Sequence, residues 1–187
     1  MIILLTGKAA TGKSTVASYL QSKYGFQQDQ LAAPLKRCVA DIFQIPPEII
    51  NPETEENRQK RETELEEWPG WSARKLLQFV GTELFRTQVR DDIWVRSLWL
   101  RIHNLGGDWA VGDCRFPNEQ SFFTDRLKFG EVVTIKVTRT GYDGSVGLKG
   151  HASEAHDLPA DFVVSNDGNY DELYAKIDKI MVGFKKN

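Results

Sequence analysis

The sequence has few of the features that mark secreted, membrane-spanning or metal-binding proteins. Its 187 residues include only two cysteines, Cys38 and Cys114, which cannot build a disulfide framework and lack metal-site spacing. We expect both to be reduced, buried, small hydrophobic residues. No apolar run approaches the ~18 residues of a membrane span, and the first residues lack the positively charged region of a signal peptide. We therefore predict a cytoplasmic protein with no membrane partner.

The sequence also lacks a strong excess of charge of either sign. The net charge is −2, which argues against a nucleic-acid partner. The stretch from Glu48 to Glu67 carries eight acidic and three basic residues, a net of −5, so the rest of the chain carries +3. We interpret the acidic stretch as a solvated helix face. A mildly basic body is compatible with anionic small-molecule ligands.

Short, continuous apolar runs alternate with helical patterns and predict β-α-β units. Continuous rather than alternating apolar runs are typical of strands buried on both faces. We therefore predict an α/β fold of three layers, with a central parallel sheet of about five strands flanked by helices. The predicted strands are Ile2–Thr6, Gln27–Leu31, Trp109–Gly112, Val132–Thr138 and Phe162–Ser165.

The helical patterns complete a single domain, residues 1–187, with two additions. Ile45–Trp71 holds four of the seven prolines and is interpreted as an acidic insertion that caps the sheet. Thr140–His156 is rich in glycine and poor in apolar residues, so we predict that it is a lid. The predicted helices are Lys13–Lys23, Pro34–Phe43, Ser72–Thr87, Asp92–Asn104, Pro117–Phe129 and Tyr170–Phe184.

A phosphate-binding motif lies between the first strand and the first helix. Gly7 to Ser14 reads G-x-x-x-x-G-K-S, in which glycines let backbone N–H groups surround an anion at a helix N-terminus. Lys13 would reach the β- and γ-phosphates, and the Ser14 hydroxyl would bind Mg²⁺. We predict a nucleoside triphosphate site made of Gly7, Ala10, Thr11, Gly12, Lys13, Ser14 and Thr15.

The class of nucleotide enzyme follows from what accompanies this motif. A GTPase would carry an N/T-K-x-D base-recognition motif, and Asn166-Asp167-Gly168 is not one. Large motor and transporter ATPases need longer chains. A small chain with two candidate flaps favours a kinase that closes over two phosphorylated substrates and excludes water.

Asp113 and Arg115 follow an apolar strand, at the sheet edge where ligands bind in open α/β folds. Because they are two residues apart, their side chains would lie on the same side of the strand if the strand continued that far. Asp113 would hold Mg²⁺ or its water, and Arg115 would neutralise a phosphate; the alternative is an ion pair closing the strand. Glu119 is interpreted as stabilising the N-terminal end of the next helix.

The remaining candidates are spread over three segments. Arg74, Gln78 and Thr82 form a polar stripe at steps of four, suited to gripping a phosphate and a base edge. Arg86 has either a structural or a binding role. Lys36 follows the second strand and could reach an acceptor phosphate. Arg139, directly before the candidate lid, and Lys149 within it could enclose the donor phosphates, whereas His151 is interpreted as a hinge or lid hydrogen-bonding residue.

Several blocks together carry a resemblance that runs along most of the chain. The discriminating ones are Asp-x-Arg-Phe-Pro-Asn-Glu (113–119) and Arg-x-x-x-Gln-x-x-Gly-Thr-Glu (74–83), accompanied by Ala-Ala-Pro-Leu-Lys (32–36), Asp-Asp-Ile-Trp (91–94), His-Ala-Ser-Glu (151–154) and the loop around Asn166. With the P-loop, these blocks make the chain resemble the bacteriophage-type deoxynucleoside monophosphate kinases, a branch of the P-loop NMP-kinase-like fold.

The resemblance implies Mg²⁺-dependent transfer of the ATP γ-phosphate to a deoxynucleoside monophosphate (dNMP), giving dNDP and ADP. The catalytic residues are then expected to be Lys13, Asp113, Arg115 and Arg139, with Arg139, Asn166 and Gly168 on the ATP side and Ser14 and Asp113 at the metal. The expected dNMP site comprises Lys8, Ala9, Leu35, Lys36, Arg74, Gln78, Arg115, Lys149, Gly150, His151 and Glu154.

The implied partners are ATP and dNMP, and a homodimer is left open. For a phage protein, the cytoplasm would be that of the infected host cell. Two other readings remain. One is another small-molecule P-loop kinase, of the dephospho-coenzyme A or phosphomevalonate type, and the other is a non-catalytic ATP-binding regulatory module.

Overall fold

The computed structural model describes residues 1–141 and 157–184. Contacts between residues divide the chain into two compact units. The first comprises Met1–Leu31 with Ser97–Asn187, and the second is the continuous stretch Ala32–Arg96. The predicted insertion at 45–71 therefore lies wholly within the second unit.

The first unit contains a five-stranded parallel sheet, which confirms the predicted fold class. In chain order its strands are β1 (Ile2–Thr6), β2 (Gln27–Asp29), β5 (Trp109–Val111), β6 (Val132–Thr138) and β7 (Phe162–Ser165), and in space they lie in the order β2-β5-β1-β6-β7. Ile2 pairs with Trp109 on one side and with Val132 on the other. Because the strands are parallel, the chain leaves β1, β5 and β6 at the same edge of the sheet.

Helices cover the sheet because its strands are apolar on both faces. All five residues of β1 are buried. The helices of this unit are α1 (Lys13–Tyr24), α6 (Ile93–Leu105, of which residues 97–105 belong to it), α7 (Pro117–Thr124) and α8 (Tyr170–Val182). α1 and α8 share a core with β1, β6 and β7 through Leu20, Ile135 and Ile177.

A polar cluster joins α1 to α8 at the surface. Asp178 accepts hydrogen bonds from Tyr19 at 2.8 Å and Tyr24 at 2.7 Å, and pairs with Lys23 at 2.6 Å. The Lys23 ammonium and the two phenols lower the pKa of Asp178 to about 2. The Tyr19 ring also stacks on Tyr174 of α8 at 3.9 Å between centroids. The cluster therefore fastens the two helices that flank the phosphate loop and the last strand.

The second unit contains elements that the sequence did not reveal. In chain order it consists of α2 (Ala33–Phe43), α3 (Pro47–Ile50), α4 (Glu55–Glu62), the antiparallel strands β3 (Glu64–Leu65) and β4 (Trp68–Ser72), α5 (Ala73–Gln78), a π-helix (Phe79–Arg86) and the start of α6. α4 carries three of the eight acidic residues of the stretch and all three of its basic residues, and it has no buried residue, so this part of the stretch is a solvated helix as expected.

Two predicted helices differ from the observed ones. Ser72–Thr87 was expected to be one regular helix, but it changes from α5 to the π-helix at Phe79. The helix predicted at Pro117–Phe129 ends at Thr124 instead. Arg126 donates a hydrogen bond to the Phe122 carbonyl at 2.8 Å, so a carbonyl group of the last turn has a partner.

Over the described residues, no helix is long and apolar enough to cross a bilayer.

Candidate active site

The loop after β1 has the backbone conformation of a phosphate cradle. Gly7, Ala10 and Gly12 have positive φ angles of 127°, 60° and 104°. Residues with side chains rarely adopt such angles, and a Cβ on Gly7 would also overlap the carbonyl oxygen of Val137 on β6. Backbone N–H groups in turns of this kind converge into an anion-binding nest, here at the N-terminus of α1.

Lys13, the first residue of α1, folds back over this loop. Its ammonium donates hydrogen bonds to the carbonyl oxygens of Gly7 at 2.7 Å and Lys8 at 2.6 Å. The Thr11 hydroxyl donates to the same Lys8 carbonyl at 3.0 Å. The first turn of α1 has no acidic residue, so no carboxylate of that turn opposes the positive end of the helix dipole. The loop therefore presents positive potential to an anion.

Asp113 and Arg115 lie beyond β5 rather than on it. β5 ends at Val111 and a turn follows, so the shared side expected of a continuing strand does not apply. Asp113 Oδ1 accepts a hydrogen bond from the backbone N–H of Leu31 at 2.7 Å, which ties this turn to the segment after β2. Since β5 lies beside β1, Asp113 still follows the strand next to the phosphate loop.

Glu119 fixes the backbone that carries Arg115. This buried carboxylate accepts hydrogen bonds from the N–H groups of Arg115 at 2.8 Å and Phe116 at 3.0 Å. It occupies the first turn of α7, so the interpretation of Glu119 as a helix-end group is confirmed.

The two cysteines behave differently from each other. Cys114 is buried as expected, and desolvation together with the charges of Glu119 and Asp113 raises the pKa of its thiol well above the ordinary value. The neutral thiol is a poor nucleophile and a poor metal ligand. Cys38 is only half-buried, so the expectation of burial was wrong for this residue.

The residues at this sheet edge fit a magnesium ion bound together with phosphates. Mg²⁺ is typically held by one or two protein oxygens plus substrate phosphates and waters rather than by an all-protein cage. The exposed Ser14 hydroxyl in the first turn of α1 and the Asp113 carboxylate supply such oxygens. Within the described residues there is no cluster of three or more His, Cys, Asp or Glu that could hold a metal alone.

The candidate donor-side residues follow β6 and β7. Arg139 comes directly after β6 and is exposed. Asn166 is buried directly after β7 and donates a hydrogen bond from Nδ2 to the Thr11 carbonyl of the phosphate loop at 2.9 Å. Gly168 is exposed in the same turn. The predicted residues Lys149, Gly150, His151 and Glu154 lie outside the described residues.

The second unit brings together the predicted acceptor residues Leu35, Lys36, Arg74 and Gln78. α2 packs against α5, which carries Arg74 and Gln78 one turn apart. Arg74 Nε and Gln78 Nε2 are buried, and the described part of the chain offers neither atom a hydrogen-bond partner. Buried donors are normally paired, so these two atoms are suited to a ligand that brings its own acceptors.

The helix N-terminus at Lys36 also suits an anion. α2 begins after Ala32, which has no side-chain acceptor to cap it, and its first turn contains no acidic residue. Lys36 places a cation in this turn, where the helix dipole disfavours positive charge. A bound phosphate would offset both effects.

Sequence reasoning missed the contacts that shape this surface of the second unit. Trp94 donates a buried hydrogen bond from Nε1 to the Gly81 carbonyl in the π-helix at 3.0 Å. A Cβ on Gly81 would come within 2.7 Å of Leu35 Cδ2, so glycine allows the π-helix to approach α2 closely. The sequence shows both residues in the resembling blocks, but nothing in it pairs them.

Three comparisons with known proteins extend this description. A family model described as deoxynucleotide monophosphate kinase matches residues 48–177. A protein of Acanthamoeba polyphaga mimivirus, provisionally named as a deoxynucleotide monophosphate kinase, is 28% identical over 191 residues, covering 95% of this chain and 94% of its own length. The deoxynucleotide monophosphate kinase of Escherichia phage RB69 is 34% identical over 118 residues, covering 59% of this chain and 45% of its own.

Among solved structures, the crystal structure of TT1252 from Thermus thermophilus superposes with a TM-score of 0.54 at 20% identity. The match covers 100% of this chain and 98% of that one, and it supports the fold alone. The family model, in contrast, covers more than half of the sequence and includes Arg74, Gln78, Asp113 and Arg115. The chain belongs to the deoxynucleotide monophosphate kinase family.

Proposed function

We propose that this chain transfers the γ-phosphate of ATP to a dNMP and releases dNDP and ADP. The observation that carries the proposal is the phosphate cradle at residues 7–14, with its three left-handed residues and Lys13 at the start of α1, in a chain of this family. We further propose that its partners are these small molecules and that it works in the cytoplasm, where both are available.

The reaction needs positioning and charge neutralisation more than proton transfer. The attacking atom is a phosphate oxygen of the dNMP, which is largely deprotonated at neutral pH because its second pKa is about 6. This oxygen bonds to the γ-phosphorus, the bond from that phosphorus to the β,γ-bridging oxygen breaks, and ADP leaves with the electron pair. No general base is required.

Each donor-side residue has a proposed role in this transfer. The N–H groups of the cradle and the Lys13 ammonium hold the β- and γ-phosphates and offset the charge that develops between them. Arg115 and Arg139 add positive charge at the transferring group. Ser14 and Asp113 would hold Mg²⁺, which would supply positive charge against the phosphates.

The acceptor side is proposed to lie in the second unit. Arg74 can form paired hydrogen bonds with a phosphate or a base edge, and Gln78 one turn later offers a second donor. Their buried, unpartnered nitrogen atoms support this assignment. Lys36 would attract the acceptor phosphate to the N-terminus of α2, and Leu35 would pack beside it.

A coupled assay of ADP release tests the proposal. Purified protein is given Mg·ATP with each dNMP, each NMP, dephospho-coenzyme A or no acceptor, and ADP and the phosphorylated product are both quantified. We expect ADP in step with dNDP for at least one dNMP. Turnover only with dephospho-coenzyme A, or ATP binding without any acceptor-dependent turnover, would contradict the proposal.

A further inference from the structure

Asn166 is held rigidly at the end of the sheet. Its backbone N–H donates to the Thr138 carbonyl of β6 at 2.7 Å, which extends the pairing of β6 and β7 by one residue. Just before it, the Lys176 ammonium of α8 donates to the Ser165 carbonyl at 2.7 Å and the Ser165 hydroxyl at 2.8 Å. The side chain of Asn166 is therefore presented from a fixed backbone.

The residue after Asn166 fastens the same turn on its other side. Asp167 Oδ1 accepts a hydrogen bond from the Thr140 N–H, the second residue after β6, at 2.5 Å. This contact is the main cause of the lowered pKa of Asp167, so the carboxylate remains charged and bound at neutral pH. The turn at 166–168 is thus attached to β6 and to Thr140 just after it, and Ser165 just before the turn is attached to α8.

The amide of Asn166 reaches the phosphate loop in a buried contact. Nδ2 donates to the Thr11 carbonyl at 2.9 Å. A Cβ on Gly12 would overlap this amide, so Gly12 is required for space as well as for its positive φ. The Asn166 amide therefore packs into the space that the missing side chain of Gly12 leaves open.

The consequence for the loop follows from the geometry of the peptide bond. No cis peptide bond occurs in the described chain, and in a trans peptide the C=O and N–H point in opposite directions. When Asn166 holds the Thr11 carbonyl, the Gly12 N–H of the same peptide points away from Asn166. We propose that Asn166 is a positioning residue of the phosphate cradle, which orients the Gly12 N–H toward the phosphates of bound nucleotide.

This role differs from a contact with the donor base, which the position after the last strand would also permit. It rests on the proposed function only in taking ATP as the ligand of the cradle. The experiment therefore omits dNMP, so its result does not depend on which acceptor the enzyme uses. It compares Mg·ATP with Mg·tripolyphosphate, a probe that has phosphates but no base, by calorimetry and by competition against a fluorescent ATP analogue.

Asn166→Ala should raise the Kd of Mg·ATP about tenfold, which corresponds to about 1.4 kcal/mol and to the loss of one hydrogen bond to a charged group. The Kd of Mg·tripolyphosphate should rise by the same factor. Asn166→Asp should weaken both further, because a carboxylate oxygen would face the Thr11 carbonyl. Weaker binding of ATP with unchanged binding of tripolyphosphate would overturn the proposal in favour of a base contact.

Asn169→Ala is the matched control, since Asn169 caps α8 through Glu172 N–H at 3.0 Å. It should lower the Tm and leave both Kd values within twofold of the wild type. An equal rise in Kd for Asn169→Ala and Asn166→Ala would reduce the effect to general stability and overturn the proposal.

A double-mutant cycle of Asn166 and Gly12, measured without nucleotide, tests the contact between these two residues. Asn166→Ala should lower the Tm in the wild-type background but not in Gly12→Ala, where the amide is already displaced. Equal losses of Tm in both backgrounds would show that Asn166 and Gly12 act independently, and would overturn the proposal.

Discussion

Gln78 offers a test in which stability and substrate binding change in opposite directions. Its Nε2 atom is buried without a hydrogen-bond partner in the described chain, and such a donor costs about 1–3 kcal/mol of folding free energy. Because the residue as a whole is half-buried, we take the lower half, about 1–2 kcal/mol. Gln78→Met keeps the length and the helix propensity while removing the donor.

The free Gln78→Met protein should therefore be more stable than the wild type. At about 2–4 °C per kcal/mol for a chain of this size, we expect the Tm to rise by about 2–8 °C. The KM for dNMP should rise about tenfold through loss of the hydrogen bond, with the KM for ATP unchanged. Calorimetric melting and steady-state kinetics measure the two effects on the same preparation.

Gln59→Met is the control, because Gln59 is exposed on α4 of the same unit. It should change neither the Tm nor the KM for dNMP appreciably. A lower Tm for Gln78→Met together with an unchanged KM for dNMP would refute the reasoning, since the amide would then serve the fold rather than a ligand.

Three further predictions concern the phosphate site, the arginine after β6 and the surface cluster. Lys13→Ala and Asp113→Asn should each lower kcat by orders of magnitude with the circular dichroism spectrum unchanged, because phosphoryl transfer depends on charge neutralisation; near-normal kcat for Asp113→Asn would remove Asp113 from the site. Arg139→Ala should lower kcat at saturating substrates equally at low and high salt, whereas a loss confined to kcat/KM that fades with salt would indicate mere attraction of anions. The pKa of Asp178 falls from 3.8 to about 2 on folding, so its stabilisation is present above pH 4 and lost as the pH falls toward 2. Asp178→Asn should thus lower the free energy of unfolding at pH 7, by about 1 kcal/mol or less because Asp178 is partly exposed. Urea titrations should show that this difference from the wild type vanishes near pH 2. A difference that stays constant with pH would contradict the lowered pKa of Asp178.

The first unit could be predicted from the sequence because its signals are local. Continuous apolar runs such as Ile2–Thr6 identify buried parallel strands, and the glycine and lysine spacing of the phosphate motif fixes a turn followed by a helix. The spatial order β2-β5-β1-β6-β7 was not predicted, because different doubly wound sheets share the same β-α-β pattern. The boundaries of the five strands of this unit agreed with the prediction within two residues.

In the second unit α2 was predicted to within one residue, whereas the stretch from β3 to the π-helix was not, because its geometry depends on more than local sequence pattern. A π-helix has almost the same apolar spacing as an α-helix over eight residues, so the sequence pattern does not separate them. The two-residue strand β3 is too short to produce any periodicity. In the first unit, the hydrogen bond from Asn166 to Thr11 was also missed, because it joins residues 155 positions apart and a single sequence carries no signal for it.

The order of the strands bears on how the chain reaches this fold. β1 pairs with β5 and β6, which lie more than a hundred residues further along the chain, and such non-local pairings make folding slow. The stretch Ala32–Arg96 between β2 and β5 is a compact unit of its own. This unit leaves the ribosome before β5 and β6 do, so it can fold first. Once folded, it replaces a long flexible loop between β2 and β5, which lowers the entropic cost of bringing the strands together. Mutations that destabilise this unit should therefore also slow formation of the sheet.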